Sequence, residues 1–140
     1  MCLPLRNLDK NTLEKGTHAG FEWQITNNGL ASRCGYVRLL PGHPWFGKGY
    51  YDFEAHVHGG LTFAAYGEAC PTHGDKDEYW IGFDCNHAWD APDPELPGYD
   101  ALPRGLIRCM SGPDCQIRTH EYVKRECERL CEQAAAAMVA

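Results

Sequence analysis

Two histidines separated by one residue, His56 and His58, are the residues of this chain whose type and spacing most clearly point to chemistry. Side chains two positions apart on a β-strand project from the same face, about 7 Å apart along the chain. Paired imidazoles are a common ligand arrangement for zinc and other divalent metals. The spacing therefore predicts a metal site on one face of a strand.

Two further residues are candidates to complete this site. Asp84 and His87 follow the next predicted strand, and they would lie near the histidine pair if the two strands are neighbours. The candidate ligands for zinc or manganese are therefore His56, His58, Asp84 and His87. The alternative is that the paired histidines are half-exposed strand residues, hydrogen-bonded to Asp52, to Glu54 or to water.

Large aromatic side chains in loops are candidates for binding a partner or ligand. Trp45 and Phe46 lie in a loop rich in proline and glycine, and Trp89 lies in an acidic loop. Tryptophan is favoured at binding hot spots because it buries much surface. We expect a pocket between these loops, with the histidine pair as its floor. The alternative is that the tryptophans fold inward as lids over a small core.

The negative charge of the chain is concentrated in one segment. Residues 74–100 contain eight acidic residues and one basic residue, so this segment has a charge of −7. Because the net charge of the whole chain is −6, all other residues together carry +1. Such a field repels nucleic acid and favours a basic partner or a metal cation. Asp90, Asp93 and Glu95 are the predicted partner-binding acidic residues. The alternative is a solvated surface loop.

Other catalytic motifs are missing or weak. The sequence contains no G-x-S-x-G, P-loop or G-x-G-x-x-G motif. Cys85 lies two residues before His87, but neighbours in sequence do not necessarily bring their side chains together, so a cysteine nucleophile is a minor alternative. Because these catalytic motifs are missing or weak, the sequence favours a non-enzymatic protein.

Alternating apolar residues predict the strands that position these groups. Phe21, Trp23 and Ile25 share one face of a strand, and an Asn-Asn-Gly turn at 27–29 predicts a hairpin. The four predicted strands are 21–26, 33–39, 51–58 and 79–84. Residues 11–15 have the composition of a single helical turn. From Cys85 to Arg118 the pattern lapses into a long loop with five prolines.

A helix is predicted after this loop. Thr119 has the character of an N-cap, and Glu121 lies in the first turn, where acidic residues are favoured. The apolar residues at helical spacing are Tyr122, Val123, Cys127, Leu130, Cys131 and Ala134. We therefore expect one α+β domain over residues 1–140, with a small antiparallel sheet of about four strands packed by one C-terminal helix.

Composition and cysteine usage indicate a cytoplasmic protein. Apolar residues make up 44% and charged residues 23% of the chain, and no run approaches the roughly 20 apolar residues that a membrane crossing needs. The first residues lack the pattern of a signal peptide. We expect most of the eight cysteines to be buried free thiols. Cys109 and Cys115 lie close together in the sequence and are therefore the pair favoured for a disulfide bond or a shared metal ion.

Three strings carry a resemblance to a known group of proteins. GHPWFGK (42–48), HVHGGLTF (56–63) and WIGFDCNH (80–87) resemble a family of small uncharacterised bacteriophage and prophage proteins. The resemblance spans about residues 35–90 and the final helix. It implies a setting in the cytoplasm of a host cell and does not imply a reaction.

Two functions are consistent with these features. The first is a phage accessory protein of the counter-defence type, an anti-CRISPR-like inhibitor, that binds a host protein or a small nucleotide through the loop aromatics and the acidic segment. The alternative is a small metal-dependent hydrolase that uses the His/Asp cluster, with the metal activating water.

Overall fold

The protein folds around an antiparallel sheet of five strands. The structure, a computed structural model, describes residues 11–67, 78–109 and 112–139. The strands are β1 (Thr12–His18), β2 (Phe21–Asn27), β3 (Arg33–Leu39), β4 (Phe63–Tyr66) and β5 (Tyr79–Asp84). Their order across the sheet is β1-β2-β3-β5-β4, and all neighbours are antiparallel.

The segment after β5, predicted as a long loop, contains several short elements. They are β6 (Asp90–Ala91), a 3-10 turn (Tyr99–Ala101), α1 (Arg104–Cys109) and β7 (Gln116–Ile117). β6 and β7 pair in parallel, which brings residue 90 beside residue 116. This small pairing holds the two ends of the proline-rich segment together near the main sheet.

One helix, α2 (His120–Ala137), packs on one face of the sheet. Its N-cap is Thr119, whose hydroxyl accepts a hydrogen bond from the Tyr122 N–H at 3.2 Å. Its buried face meets β2 and β3 through Val123, Cys127, Leu130, Cys131 and Ala134. The helix and its cap were both predicted, and with the sheet they confirm the α+β fold class.

Helix and sheet approach closely at Gly35 of β3. A Cβ at this position would lie 2.7 Å from the Cys127 Sγ atom and 2.5 Å from the Phe83 ring. The absence of a side chain at Gly35 therefore lets α2 lie against the centre of the sheet. None of the described helices combines the length and the apolar character that crossing a membrane would require.

The predicted hairpin between β2 and β3 is confirmed. The Asn27 side chain accepts a hydrogen bond from the Gly29 N–H at 3.1 Å, and Gly29 has a φ of 86°. These are the interactions that asparagine and glycine supply in turns. The register pairs Asn27 with Arg33, as expected for strands joined by this turn.

The helical turn predicted for residues 11–15 is wrong. Residues 12–15 begin β1, which is joined to β2 by a tight turn at Ala19 and Gly20, both with positive φ, and among residues 11–15 only Asn11 is helical. Glu14 also forms side-chain hydrogen bonds or ion pairs with His120 and Lys124 of α2. Pairing within the sheet thus overrides the local helix preference of this segment.

The strand predicted for residues 51–58 is also wrong. This stretch forms no ladder, and β4 lies beside β5 instead. Phe53, Ala55 and Val57 pack on the core that the sheet forms with α2. The Gln133 amide of α2 accepts from the His56 N–H at 2.7 Å and donates to the His56 carbonyl at 2.8 Å. The alternation therefore reflects an extended segment that covers the core.

Candidate functional site

A buried carboxylate, Asp90, lies at the centre of the main polar cluster. Its side chain is fully buried and receives hydrogen bonds from two imidazoles. The His58 Nε2 atom lies 2.9 and 3.0 Å from its two oxygens, and the His87 Nδ1 atom lies 2.8 Å from Oδ2. Because an ionised carboxylate only accepts hydrogen bonds, both imidazole nitrogens donate to it.

The main-chain turn from residue 87 to residue 90 positions two of these groups. It directly follows β5, and the Asp90 N–H donates to the His87 carbonyl at 3.0 Å. The His87 N–H in turn donates to the Asp90 carboxylate at 3.0 Å. The turn therefore holds the two side chains together by local bonds.

A second turn brings His58 to the cluster from a distant part of the chain. The Gly60 N–H donates to the Val57 carbonyl at 2.9 Å. Gly59 has a φ of 68°, and a Cβ at this position would overlap the His87 imidazole. Glycine is therefore required here both for the backbone conformation and for the close approach of the two histidines.

The other nitrogen of each imidazole faces an oxygen. The His58 Nδ1 atom lies 2.8 Å from the Tyr122 hydroxyl, and in the neutral tautomer that donates from Nε2 to Asp90 it accepts the hydroxyl proton. The His87 Nε2 atom lies 3.9 Å from an Asp84 oxygen. Asp84 is itself held by a 2.9 Å hydrogen bond from the Thr62 hydroxyl.

Arg118 supplies the positive charge of the cluster. Its Nε–H donates to the Asp90 Oδ1 atom at 2.8 Å. Its carbonyl accepts from Arg33 at 2.9 Å, and Arg33 forms a buried ion pair with Asp93 at 2.8 Å. Burial raises the pKa of Asp90, but hydrogen bonds from His58, Arg118 and His87 outweigh it and hold that pKa below its usual value.

Three of these side chains form a group that could hold a metal ion. One ligand atom from each of His58, His87 and Asp90 lies within 4.8 Å of the others. Ligand atoms in a tetrahedral zinc site are about 3.3 Å apart, so small side-chain shifts would suffice. A cation here would take over the place that the imidazole N–H groups and Arg118 now occupy around the carboxylate.

The structure brings together some of the metal ligands predicted from the sequence. His58 and His87 meet with ring centroids 5.3 Å apart, and Asp84 lies beside them. His56 lies outside the cluster: its side chain is 74% exposed and faces Glu54 at 3.2 Å. His56 and His58 do not share a face, because residues 51–58 are not a strand and the chain turns at 57–60.

The predicted binding aromatics have different environments. Trp45 is only 7% exposed and stacks on Phe53 at 4.7 Å between ring centroids, which matches the alternative that it folds inward. Phe46 is half-buried against Tyr66 and Tyr79. Trp89 is 47% exposed and stacks parallel to the His87 ring at 4.9 Å. Of the three, Trp89 is the aromatic that reaches solvent beside the cluster.

The acidic segment does not present the predicted surface. Asp90 and Asp93 are buried because each has a positively charged partner, Arg118 and Arg33 respectively. Among the three predicted partner-binding acids, Glu95 alone is exposed. Asp75 and Asp77 lie outside the described residues.

The described cysteines are largely buried free thiols, as expected. Cys34, Cys85, Cys127 and Cys131 are buried. Burial raises the pKa of the Cys34 thiol to about 11 and raises the pKa of the Cys85 thiol further. Cys85 is therefore unsuited to act as a nucleophile. The Cys115 thiol contacts the Ala88 carbonyl at 3.2 Å, and the side chain of Cys109 lies outside the described part of the chain.

Three residues of the cluster have roles that the sequence does not predict. Asp90 was assigned to partner binding, although its spacing of three from His87 suits a tight turn. Tyr122 was assigned to the apolar face of α2. Nothing in the sequence predicts the contact between Arg118 and Asp90, because the two residues are 28 positions apart.

Comparisons of the chain with protein-family models, with curated proteins and with solved structures find no match. The function therefore has to be inferred from the chemistry of His58, His87 and Asp90 and from the surfaces around them.

Proposed function

We propose that this protein is a small metal-dependent hydrolase whose centre is formed by His58, His87 and Asp90. One observation carries the proposal: each imidazole directs one nitrogen at Asp90 and its other nitrogen at a second oxygen. Metal-ligating histidines characteristically have such an outer partner, which fixes the ring orientation. Tyr122 and Asp84 are the outer partners here.

The ligand types favour zinc or manganese. Two imidazoles and one carboxylate suit both ions, and three protein ligands are typical of catalytic zinc sites, which keep a position open for water. A bound divalent cation would supply activation of that water for attack on an ester, amide or phosphoester. His87, with its side chain 18% exposed, is the group of the three through which the centre reaches the surface.

The residues around the centre would orient it and complement its charge. Tyr122 holds the His58 ring by a 2.8 Å hydrogen bond, and Asp84 faces the outer nitrogen of His87. Arg118 places a positive charge against Asp90 at 2.8 Å. When Asp90 binds a cation, the Arg118 guanidinium becomes available to stabilise negative charge that develops on a substrate.

Metal titration of purified protein tests this proposal. We expect one zinc or manganese ion per chain in the wild type, measured by calorimetry and by elemental analysis. His87→Ala should abolish stoichiometric binding, whereas His56→Ala is a matched control because His56 lies outside the cluster. The absence of binding in the wild type, or equal loss in both variants, would overturn the proposal.

The phage accessory role is a second candidate, favoured by one observation. Trp89 is 47% exposed beside His87, and a half-exposed tryptophan is a typical anchor for a partner. In this role the protein would bind a host protein or a small nucleotide in the host cytoplasm, with Glu95 as the exposed acid. Thermal-shift screening with nucleotides and capture from host lysate should then give a ligand that Trp89→Ala loses. If the Trp89→Ala variant still binds the ligand, Trp89 does not anchor it.

A further inference from the structure

An open cavity of about 250 Å³ lies directly against the proposed centre. It is lined by Leu30, Asn86, His87, Ala88, Leu102 and Leu106. These residues come from the loop after β2, from the turn after β5 and from the region of α1. His87 belongs both to this cavity and to the group that could hold a metal. The cavity therefore adjoins the place where a reacting bond would lie.

The lining of this cavity is apolar and uncharged. None of the described residues that line it carries a charged group, unless His87 is protonated. Leu30 and Leu106 are 50% and 44% exposed, so they offer apolar surface that a ligand could cover. A phosphate or carboxylate placed among these residues would lose hydration without gaining a positively charged side chain, because Arg118 does not line the cavity.

The volume suits a small bound group. Liquid water occupies about 30 Å³ per molecule, so the cavity corresponds to about eight waters. A short acyl chain or one aromatic ring fills such a space. Asn86 and His87 supply the few polar atoms, as is common in small-molecule sites.

We infer that the cavity binds the uncharged apolar acyl group of a small carboxylic ester, which makes the enzyme an esterase. This inference rests on the proposed metal-dependent hydrolase. Water adds to the acyl carbon and the bond between that carbon and the alcohol oxygen breaks. The alcohol leaves with one proton of the water, and the second proton ionises from the acid product. A phosphomonoester suits the centre less well, because its two negative charges would meet Asp84 and Asp90, the carboxylates that already lie beside His87.

A binding experiment tests the cavity independently of catalysis. Benzamide is a neutral apolar probe, and phenyl phosphate is a charged probe of similar size. In methyl NMR spectra, benzamide should shift the signals of Leu102 and Leu106, whereas phenyl phosphate should leave them unchanged. Leu106→Glu should weaken benzamide binding about tenfold, since it places a charge in the cavity. Leu40→Glu is the control, because Leu40 is also an exposed leucine, at 54% against 44% for Leu106, and lies outside this cavity.

Kinetics separate failure of the inference from failure of the proposed function. With zinc or manganese present, we expect hydrolysis of p-nitrophenyl butyrate and none of p-nitrophenyl phosphate. Stoichiometric metal binding with preferential hydrolysis of the phosphate would overturn the esterase and keep the metal-dependent hydrolase. Absence of metal binding would overturn both. Equal binding of benzamide by the Leu106→Glu and Leu40→Glu variants would overturn the assignment of the cavity.

Discussion

The Nε2 atom of His58 lies 2.9 and 3.0 Å from the two carboxylate oxygens of Asp90, although the two residues are 32 positions apart. His58 lies in the turn at 57–60, directly after the residues that cover the core, and Asp90 opens β6. Their contact links the segment that covers the core to the proline-rich segment. The same carboxylate is the centre of the candidate metal group, so stability and the proposed function would depend on one side chain.

Asp90→Asn should destabilise the fold. The amide cannot balance the charge of Arg118, and it presents a donor to imidazole nitrogens that already donate. Removing one partner of a buried pair costs about 3–5 kcal/mol. Urea denaturation should show this loss. Glu95→Gln, an exposed control, should change stability by no more than about 0.5 kcal/mol, and an equal effect of both substitutions would contradict the prediction.

Acid should weaken the wild type more than the Asp90→Asn variant. Hydrogen bonds lower the pKa of Asp90 in the folded state, so its contribution is fully present above the unfolded value of about 4. The contribution is lost as the pH falls through the folded pKa. Stability measured from pH 7 to pH 2 should therefore fall more steeply for the wild type over the acid range. Parallel curves for the two proteins would show that Asp90 is not responsible.

Tyr122→Phe should weaken metal binding without removing it. The variant loses the hydroxyl that fixes the His58 ring at 2.8 Å but keeps the three proposed ligands. Loss of an outer partner typically lowers metal affinity about tenfold or more. Zinc titrations of the wild type and variant measure the ratio, with Tyr51→Phe as a control because Tyr51 is 88% exposed and its ring contacts Tyr50, which is not part of the cluster. An unchanged affinity would show that Tyr122 does not orient a ligand.

Gly35→Ala should destabilise the junction of α2 with the sheet. The added methyl would come within 2.7 Å of the Cys127 sulfur and 2.5 Å of the Phe83 ring, so the helix or the ring must shift. Overpacking of this kind costs about 1–3 kcal/mol. Gly105→Ala in α1 is a suitable control, because its Cβ would meet no atom within 4 Å. Thermal melting should show a lower midpoint for Gly35→Ala only.

The sequence predicted those elements in which local pattern and tertiary environment agree. Trp23 and Ile25 alternate because one face of β2 is buried, and Val123, Cys127 and Leu130 recur because one face of α2 is buried. Residues 51–58 alternate for another reason, since they cover the core without pairing. Hydrophobic period alone does not distinguish these two situations.

The candidate site was predictable in its residue types and only partly in its geometry. The sequence predicts His58 and His87 as metal ligands. Their shared partner is Asp90, which the charge of residues 74–100 predicts on the surface. Tyr122 lies 64 residues from His58 and Arg118 lies 28 residues from Asp90. Contacts over such separations depend on the path of the chain, which composition and periodicity do not encode.

The hydrogen bonds that meet at Asp90 come from three separate stretches of the chain, around residues 58, 87 and 118. The stretch around residue 58 supplies one proposed metal ligand and residues 87–90 supply the other two, and these two stretches are apart in the unfolded chain, so an ion that needs all three ligands would recognise the native conformation alone. Occupancy would then raise the free energy of unfolding with the logarithm of the free ion concentration, by about 2.7 kcal/mol at a hundredfold excess over Kd, and the melting temperature would rise with it. Chelators would correspondingly act on this protein as mild denaturants.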